Sequence, residues 1–259
     1  MVQEKIEIIR DKFKNASIEK LPELMTTYRE DGRIGVGKIL ERAQKKLDAY
    51  NKELDRVQKM LSYEKQYGEC GVICGIDEAG RGPLAGPVVA AAVILDINCP
   101  ILYVNDSKKL SAKVRDELYD EILAKAISVK QVFVDEKTID RVNILQATMN
   151  GMYEAIFGLD MEPQQVLIDA VHLEKLPMEQ LSLIKGDAKS ASIAAASIIA
   201  KVSRDRLMDE YDSQYPEYGF ASNKGYGTAE HVAAIKKYGP CPIHRVSFEP
   251  IRSIVNDRK

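Results

Sequence analysis

Apolar residues recur every three or four positions through Leu40, Ala43, Leu47, Tyr50, Leu54, Val57 and Leu61, a spacing that predicts a helix of three heptads over about 38–65. Two shorter helices are expected ahead of it, at 2–14 and about 22–30, the second with Pro22 in its first turn. Their Ile8, Ile9, Leu24, Met25 and Tyr28 offer the narrow seam of the long helix a local partner, so a monomer is expected. Gly32, Gly35 and Gly37 read as a flexible connector. Beyond residue 71 the pattern alternates between short β-branched runs and helical periodicity. Strands are expected at about 72–77, 87–95, 129–134, 165–169 and 182–185. Helices are expected at about 111–126, 143–157, 188–213 and 228–238, with Ser111, Asn143 and Thr228 as N-caps and Gly239-Pro240 closing the last. From Ile251 the chain reads as a short helix or a loose end. This order predicts a small helical domain over 1–66, followed over 71–259 by an α/β domain: a mixed β-sheet flanked by helices. The spacing alone allows several doubly wound arrangements.

Composition narrows the setting. The 259 residues are 45% hydrophobic and 29% charged. There is no run of 18 apolar residues, and the first residues lack the apolar stretch of a signal peptide, so a cytoplasmic protein away from membranes is expected. Cys70, Cys74, Cys99 and Cys241 match neither a C-x-x-C pair nor a zinc spacing, and read as reduced, mostly buried thiols. His172, His231 and His244 form no H-x-x-x-H or H-E-x-x-H pair, which argues against zinc and leaves their roles open. The net charge of −2 is unevenly divided: residues 1–66 carry +3 and the remainder −5. Arg33, Lys38, Arg42, Lys45 and Lys46 face a single acid, Glu41, over 33–47. That stretch reads either as a solvated helix face or as an auxiliary contact to a nucleic-acid backbone.

The chemistry concentrates between Gly75 and Val88, GIDEAGRGPLAGPV. A short strand delivers Asp77 and Glu78 and then meets glycines and prolines that cannot continue it. Neighbours on a strand face opposite sides, so these two acids share a site only if the chain bends between or just after them. Asp169 and Asp187 likewise end apolar runs, although each could equally serve as a turn or capping residue. Four converging carboxylates would have to protonate or bind cations, and oxygen-only ligands select hard ions such as Mg²⁺. Two such ions about 3.5–4 Å apart form a known clamp for phosphodiester hydrolysis. Gly80-Arg81-Gly82 lets backbone approach a ligand while a cation points at it. Tyr226, between two glycines, offers an unshielded ring and hydroxyl. Lys108, Lys109, Lys189, Ser190 and Lys224 are candidate phosphate contacts, with solvation as the plainer reading of the lysines.

Four blocks carry a resemblance: DEAGRGPLAGPV from Asp77; DSKKL from Asp106; IKGDAKSASIAAASIIAKVSRDR from Ile184 to Arg206; and NKGYGT from Asn223. Together they resemble bacterial ribonuclease HII over roughly residues 71–250, with HRVSFEP from His244 resembling the closing motif. The resemblance implies a ribonuclease H-like fold. It also implies Asp77, Glu78, Asp169 and Asp187 as catalytic metal ligands for Mg²⁺ or Mn²⁺, two ions when substrate is bound. Gly80, Arg81, Gly82 and Tyr226 become readers of the ribose, and the substrates become RNA–DNA hybrids and DNA duplexes containing ribonucleotides. The sister family, ribonuclease HIII, usually carries Gly-Thr-Gly where this chain has Gly80-Arg81-Gly82. A binding module without catalysis and an unrelated metal-dependent DNase are the other readings.

Overall fold

The computed structural model describes residues 4–68 and 71–257, and the chain divides into two compact units, Met1–Gln58 and Lys59–Lys259. The first unit holds α1 (Ile6–Asn15), α2 (Leu21–Tyr28) and most of α3 (Ile34–Met60) around a core of Ile9, Phe13, Leu21, Val36, Ile39 and Ala43. The expected glycine connector is corrected here. Gly35 and Gly37 lie inside the first turns of α3, where Val36 and Ile39 join the core and their burial, about 2 kcal/mol each, outweighs the entropy cost of two helical glycines. The residues 2 and 3 assigned to the first helix, and Cys70, lie outside the described residues.

The expected long helix also stops earlier, at Met60, and a separate helix α4 (Ser62–Gly68) begins the second unit's chain into the sheet. Five strands follow: β1 (Ile73–Ala79), β2 (Val88–Ile94), β3 (Ser128–Val134), β4 (Gln165–Asp169) and β5 (Glu179–Leu183), in the order β3-β2-β1-β4-β5. β1 pairs antiparallel with β2, and β2 with β3, whereas β4 lies parallel to β1 and β5 parallel to β4. Helix α5 (Ala112–Lys125) precedes β3; α6 (Glu136–Val142) and α7 (Ile144–Phe157) follow it. Helix α8 (Ala191–Gln214), a single turn α9 (Phe220–Asn223), α10 (Ala229–Tyr238) and α11 (Ile251–Asp257) complete the chain.

All seven residues of β2 are buried because α7 covers one face of the sheet and α8 the other. Its continuous VVAAAVI run is what a strand covered on both sides requires. Ser111, Asn143 and Thr228 cap α5, α7 and α10 as their side chains suggest. Two boundaries differ from expectation. β5 ends at Leu183, since Ile184 is 74% exposed and Lys185 turns left-handed at φ 58°. Helix α8 starts at Ala191, with Ser190 as its N-cap, after a separate 3-10 turn at Gly186–Ala188. Helix α6 had no counterpart in the hydrophobic pattern; Asp135 caps it through the amide of Thr138 at 2.8 Å. Of the thiols, Cys74 is buried and Cys99 is exposed, so the expectation of burial fails at Cys99.

Candidate active site

Parallel pairing of β1 with β4 sets Ile76 opposite Ile168, and the next step in that register puts Asp77 beside Asp169 at the same ends of the two strands. β4 leads through β5 to the 3-10 turn that carries Asp187. This turn is fixed to the strand ends, for the Gly186 amide donates to Asp169 Oδ1 at 2.8 Å. Glu78 follows Asp77 on β1, its own amide donating to Asp77 Oδ1 at 2.8 Å, and the chain turns just beyond it at Gly80, where φ is +94°. The bend therefore falls after the acid pair, and both side chains line one cavity of about 570 Å³ together with Asp169 and Asp187. Gly80, Arg81, Gly82, Lys108 and Tyr226 line the same cavity, as do Ser107, Ser197 and Lys201.

The acids are held against their preference. Burial pushes the Asp77 carboxyl well above the usual range, and the Glu78 and Asp169 charges add to it. Burial also raises Glu78, opposed by the Arg81 guanidinium, whose Nη1 lies 3.3 Å from Glu78 Oε1. Asp187 is raised by burial and then by Asp106 and Asp169. The donor set is oxygen only, which suits a hard divalent cation, and a cation would relieve the repulsion that raises these groups. Among the described residues no three His, Cys, Asp or Glu side chains form a closed metal cluster. One oxygen each of Asp77 and Asp169 is turned instead to a backbone amide. An open arrangement of this kind suits Mg²⁺, which binds through few carboxylates and keeps water and phosphate oxygens around it.

Tyr226 stands at the rim, 46% exposed, and a Cβ on Gly82 would lie 3.8 Å from its Cε1. The two loops behind it interlock: the Leu84 amide donates to the Gly225 carbonyl at 2.8 Å. Gly225 has φ +84°, and a side chain there would strike the Ala85 carbonyl at 2.5 Å. No residue but glycine fits that contact.

The remaining candidates do not line the cavity. Ser190 is corrected from phosphate contact to structural cap: it is fully buried, accepts from the Ile193 amide, and donates to Glu64 Oε1 at 2.6 Å. That buried carboxylate also takes the Ser192 amide at 2.9 Å, placing a negative charge at the N-terminus of α8. Lys224 is turned to Asp209, Lys109 Nζ lies 3.8 Å from Asp106, and Lys189 is exposed beyond the lining.

Four side chains shape the site without having been legible as doing so. Arg204, on α8, donates to the carbonyls of Pro87, Lys224 and Ala85 at 2.9, 2.9 and 3.0 Å. Arg245 donates to the carbonyls of Gly80, Arg81 and Gly86 at 2.6–2.9 Å. Both are almost wholly buried, and burial lowers them to about 10 and about 9. Arg204 did leave a signal: it falls four residues after Ala200 and four before Met208, on the buried stripe of its helix. The other two are His231 and His244, buried with their Nε2 atoms 3.0 Å apart. The Cys241 amide donates to His244 Nδ1 at 2.9 Å, so His244 carries its proton on Nε2 and donates to His231. His231 is left to donate from Nδ1 to the carbonyl of Tyr226 at 2.8 Å. Burial lowers both rings, His244 to about 4, which keeps this neutral chain intact. The third histidine, His172, is exposed and does not line the cavity.

A mixed sheet in this order, with acids at the ends of its central strand and of the parallel neighbour and in the turn beyond, is a ribonuclease H-like architecture. The ribonuclease HII family model matches residues 74–251, and the model for the ribonuclease HII N-terminal domain matches 5–68. A ribonuclease HII from Lachnoclostridium phytofermentans is 55% identical over 221 residues, covering 85% of this chain and 87% of that one. One from Ruminiclostridium cellulolyticum is 50% identical over 242 residues, covering 93% and 94%. The crystal structure of ribonuclease H2 from Pyrococcus horikoshii OT3 is 29% identical, with a TM-score of 0.61 over 73% of this chain and 99% of its own. The chain belongs to the ribonuclease HII family and is thus an endonuclease of the ribonuclease H class.

Proposed function

We propose that this enzyme hydrolyses the RNA strand of RNA–DNA hybrids and incises on the 5′ side of ribonucleotides embedded in duplex DNA, leaving 3′-hydroxyl and 5′-phosphate ends. The observation that carries this reading is the convergence of Asp77, Glu78, Asp169 and Asp187 on one cavity whose rim holds Arg81, Gly82 and Tyr226. The four carboxylates would hold Mg²⁺ or Mn²⁺, two ions with substrate in place. Bound there, the ions supply Lewis acidity at the scissile phosphate and lower the pKa of the attacking water.

The chain's own residues orient the substrate. Asp77, whose carboxyl feels the charges of both Glu78 and Asp169, would be the ligand that the two ions share. Arg81 is anchored near Glu78, which points its guanidinium at the cavity mouth, where it meets a phosphate. Tyr226 stacks on the sugar and hydrogen-bonds the 2′-hydroxyl, the group that distinguishes RNA from DNA. Lys108 adds positive charge at the same wall.

A duplex carrying one ribonucleotide tests the proposal. With a divalent cation a single nick 5′ of the ribonucleotide is expected, and with chelator none. Equal cutting of an all-DNA duplex, or turnover that persists in chelator, would overturn it.

A further inference from the structure

The first unit contains a groove that the chemistry above does not use. Helices α1 and α3 enclose a cavity of about 420 Å³ whose floor is Phe13, Leu21, Ile39 and Ala43. Its rim is Arg10 and Lys14 on one helix and Arg42 and Lys46 on the other. Each pair sits at i and i+4, so its cations are spaced about 6 Å along the helix axis. All four side chains are exposed, no carboxylate lines the cavity, and none of the four has an ion-pair partner among the described residues. This sets them apart from their neighbours. Arg33 is forked onto Asp31 at 2.6 Å and Lys45 is bound to Glu41 at 2.7 Å, so the basic stretch read from the sequence is partly neutralised before any partner arrives.

Two demands must be met together by whatever fills this groove. The rim asks for anions on both sides, and the floor asks for a compact apolar group between them. A nucleic-acid duplex meets the first demand alone, because its bases are stacked inside and its outer surface is sugar and phosphate. An extended peptide meets both. Side chains at alternate positions share one face and lie about 6.6–7 Å apart along a strand, so an apolar residue that enters the cavity presents the acids two positions before and after it to the cationic rim. Recognition of acidic motifs by arginine clusters is a recurrent binding mode.

We propose that the N-terminal groove docks an acidic peptide segment of a partner protein, anchored by one large apolar side chain. The test is fluorescence anisotropy with the full chain and a labelled ten-residue peptide of aspartates around a single central phenylalanine. Binding is expected to weaken at least tenfold when that phenylalanine is replaced by serine, and at least tenfold in the Arg42→Glu/Lys46→Glu protein. Affinity for an RNA–DNA hybrid, and its cleavage, should be unchanged in that double variant, whose substituted positions are exposed. A peptide that does not bind, or binds equally well with serine, overturns the proposal. So does a double variant that loses hybrid affinity, which would make the groove a nucleic-acid contact instead.

Discussion

Two places in the second unit bury charge, and they handle it in opposite ways. At the strand ends, Asp77, Glu78 and Asp187 are partly or wholly buried beside one another and pushed toward protonation, with little from the protein to offset them. Against the loop that follows Glu78, Arg204 and Arg245 are buried as deeply, yet every donor nitrogen is turned to a backbone carbonyl. The arginines complete a structure, whereas the acids are left incomplete for something else to finish. Stability and chemistry are thereby assigned to separate groups of residues that share one loop.

The sharpest way to break this contrast is to remove charge from the acid group. Asp77→Asn should lower cleavage by roughly 10³-fold, the several kcal/mol that a metal-assisted phosphodiester step draws from its ligands. It should nevertheless raise the melting temperature of the metal-free protein. A variant that cleaves normally, or that melts lower, would show that Asp77 is structural. The opposite outcome is expected for the arginines. Arg245→Met leaves the carbonyls of Gly80, Arg81 and Gly86 without their donor, at a cost of about 3–5 kcal/mol in denaturant unfolding. A change below 1 kcal/mol would mean that the loop holds itself.

Smaller effects separate positioning from binding. Tyr226→Phe should cut incision at single ribonucleotides by roughly tenfold or more, the loss of one hydrogen bond in the transition state, while cation binding stays intact. Equal rates would remove the hydroxyl from ribose recognition. His231→Leu removes the donor to the Tyr226 carbonyl, and His231→Asn retains one near the Nδ1 position. Leu should lower the ratio of single-ribonucleotide to hybrid cleavage, and Asn should restore most of it; a uniform loss in both would argue for folding alone.

The smallest effect concerns pH. Carboxyls with raised pKa values keep protons in the folded state that the unfolded chain has already released. Metal-free stability should therefore increase as pH falls from neutrality through their folded pKa values, and the gain should flatten below the ordinary carboxylate range. Excess Mg²⁺ should flatten the same slope. Chemical denaturation at several pH values, with and without the cation, checks both statements.

Legibility in the sequence followed locality. The four acids and Gly80-Arg81-Gly82 stand out locally because they follow the ends of apolar runs, and Tyr226 because two glycines flank it, but only the resemblance of the blocks singles them out as one site. Capping was readable at Ser111, Asn143 and Thr228 for the same reason. Ser190 misled because a serine beside a lysine and an aspartate looks equally like a cap and a phosphate ligand. Only the arrival of Glu64, 126 residues away, decides between them. The imidazole pair was out of reach, since His231 and His244 meet across a loop and are matched by no spacing. Gly35 and Gly37 misled in the other direction, because tertiary packing overrode a local breaker.

Arg204 bonds at once to the segment around Ala85 and Pro87 and to the carbonyl of Lys224, so the strip with the guanidinium and the strip with the phenol are riveted by one side chain. If the proposed ribose recognition holds, a jaw riveted in this way gauges a sugar as a caliper does, by a gap set beforehand. Chilling the reaction should then slow turnover on ribonucleotide and deoxyribonucleotide sites alike, leaving the preference between them nearly unchanged.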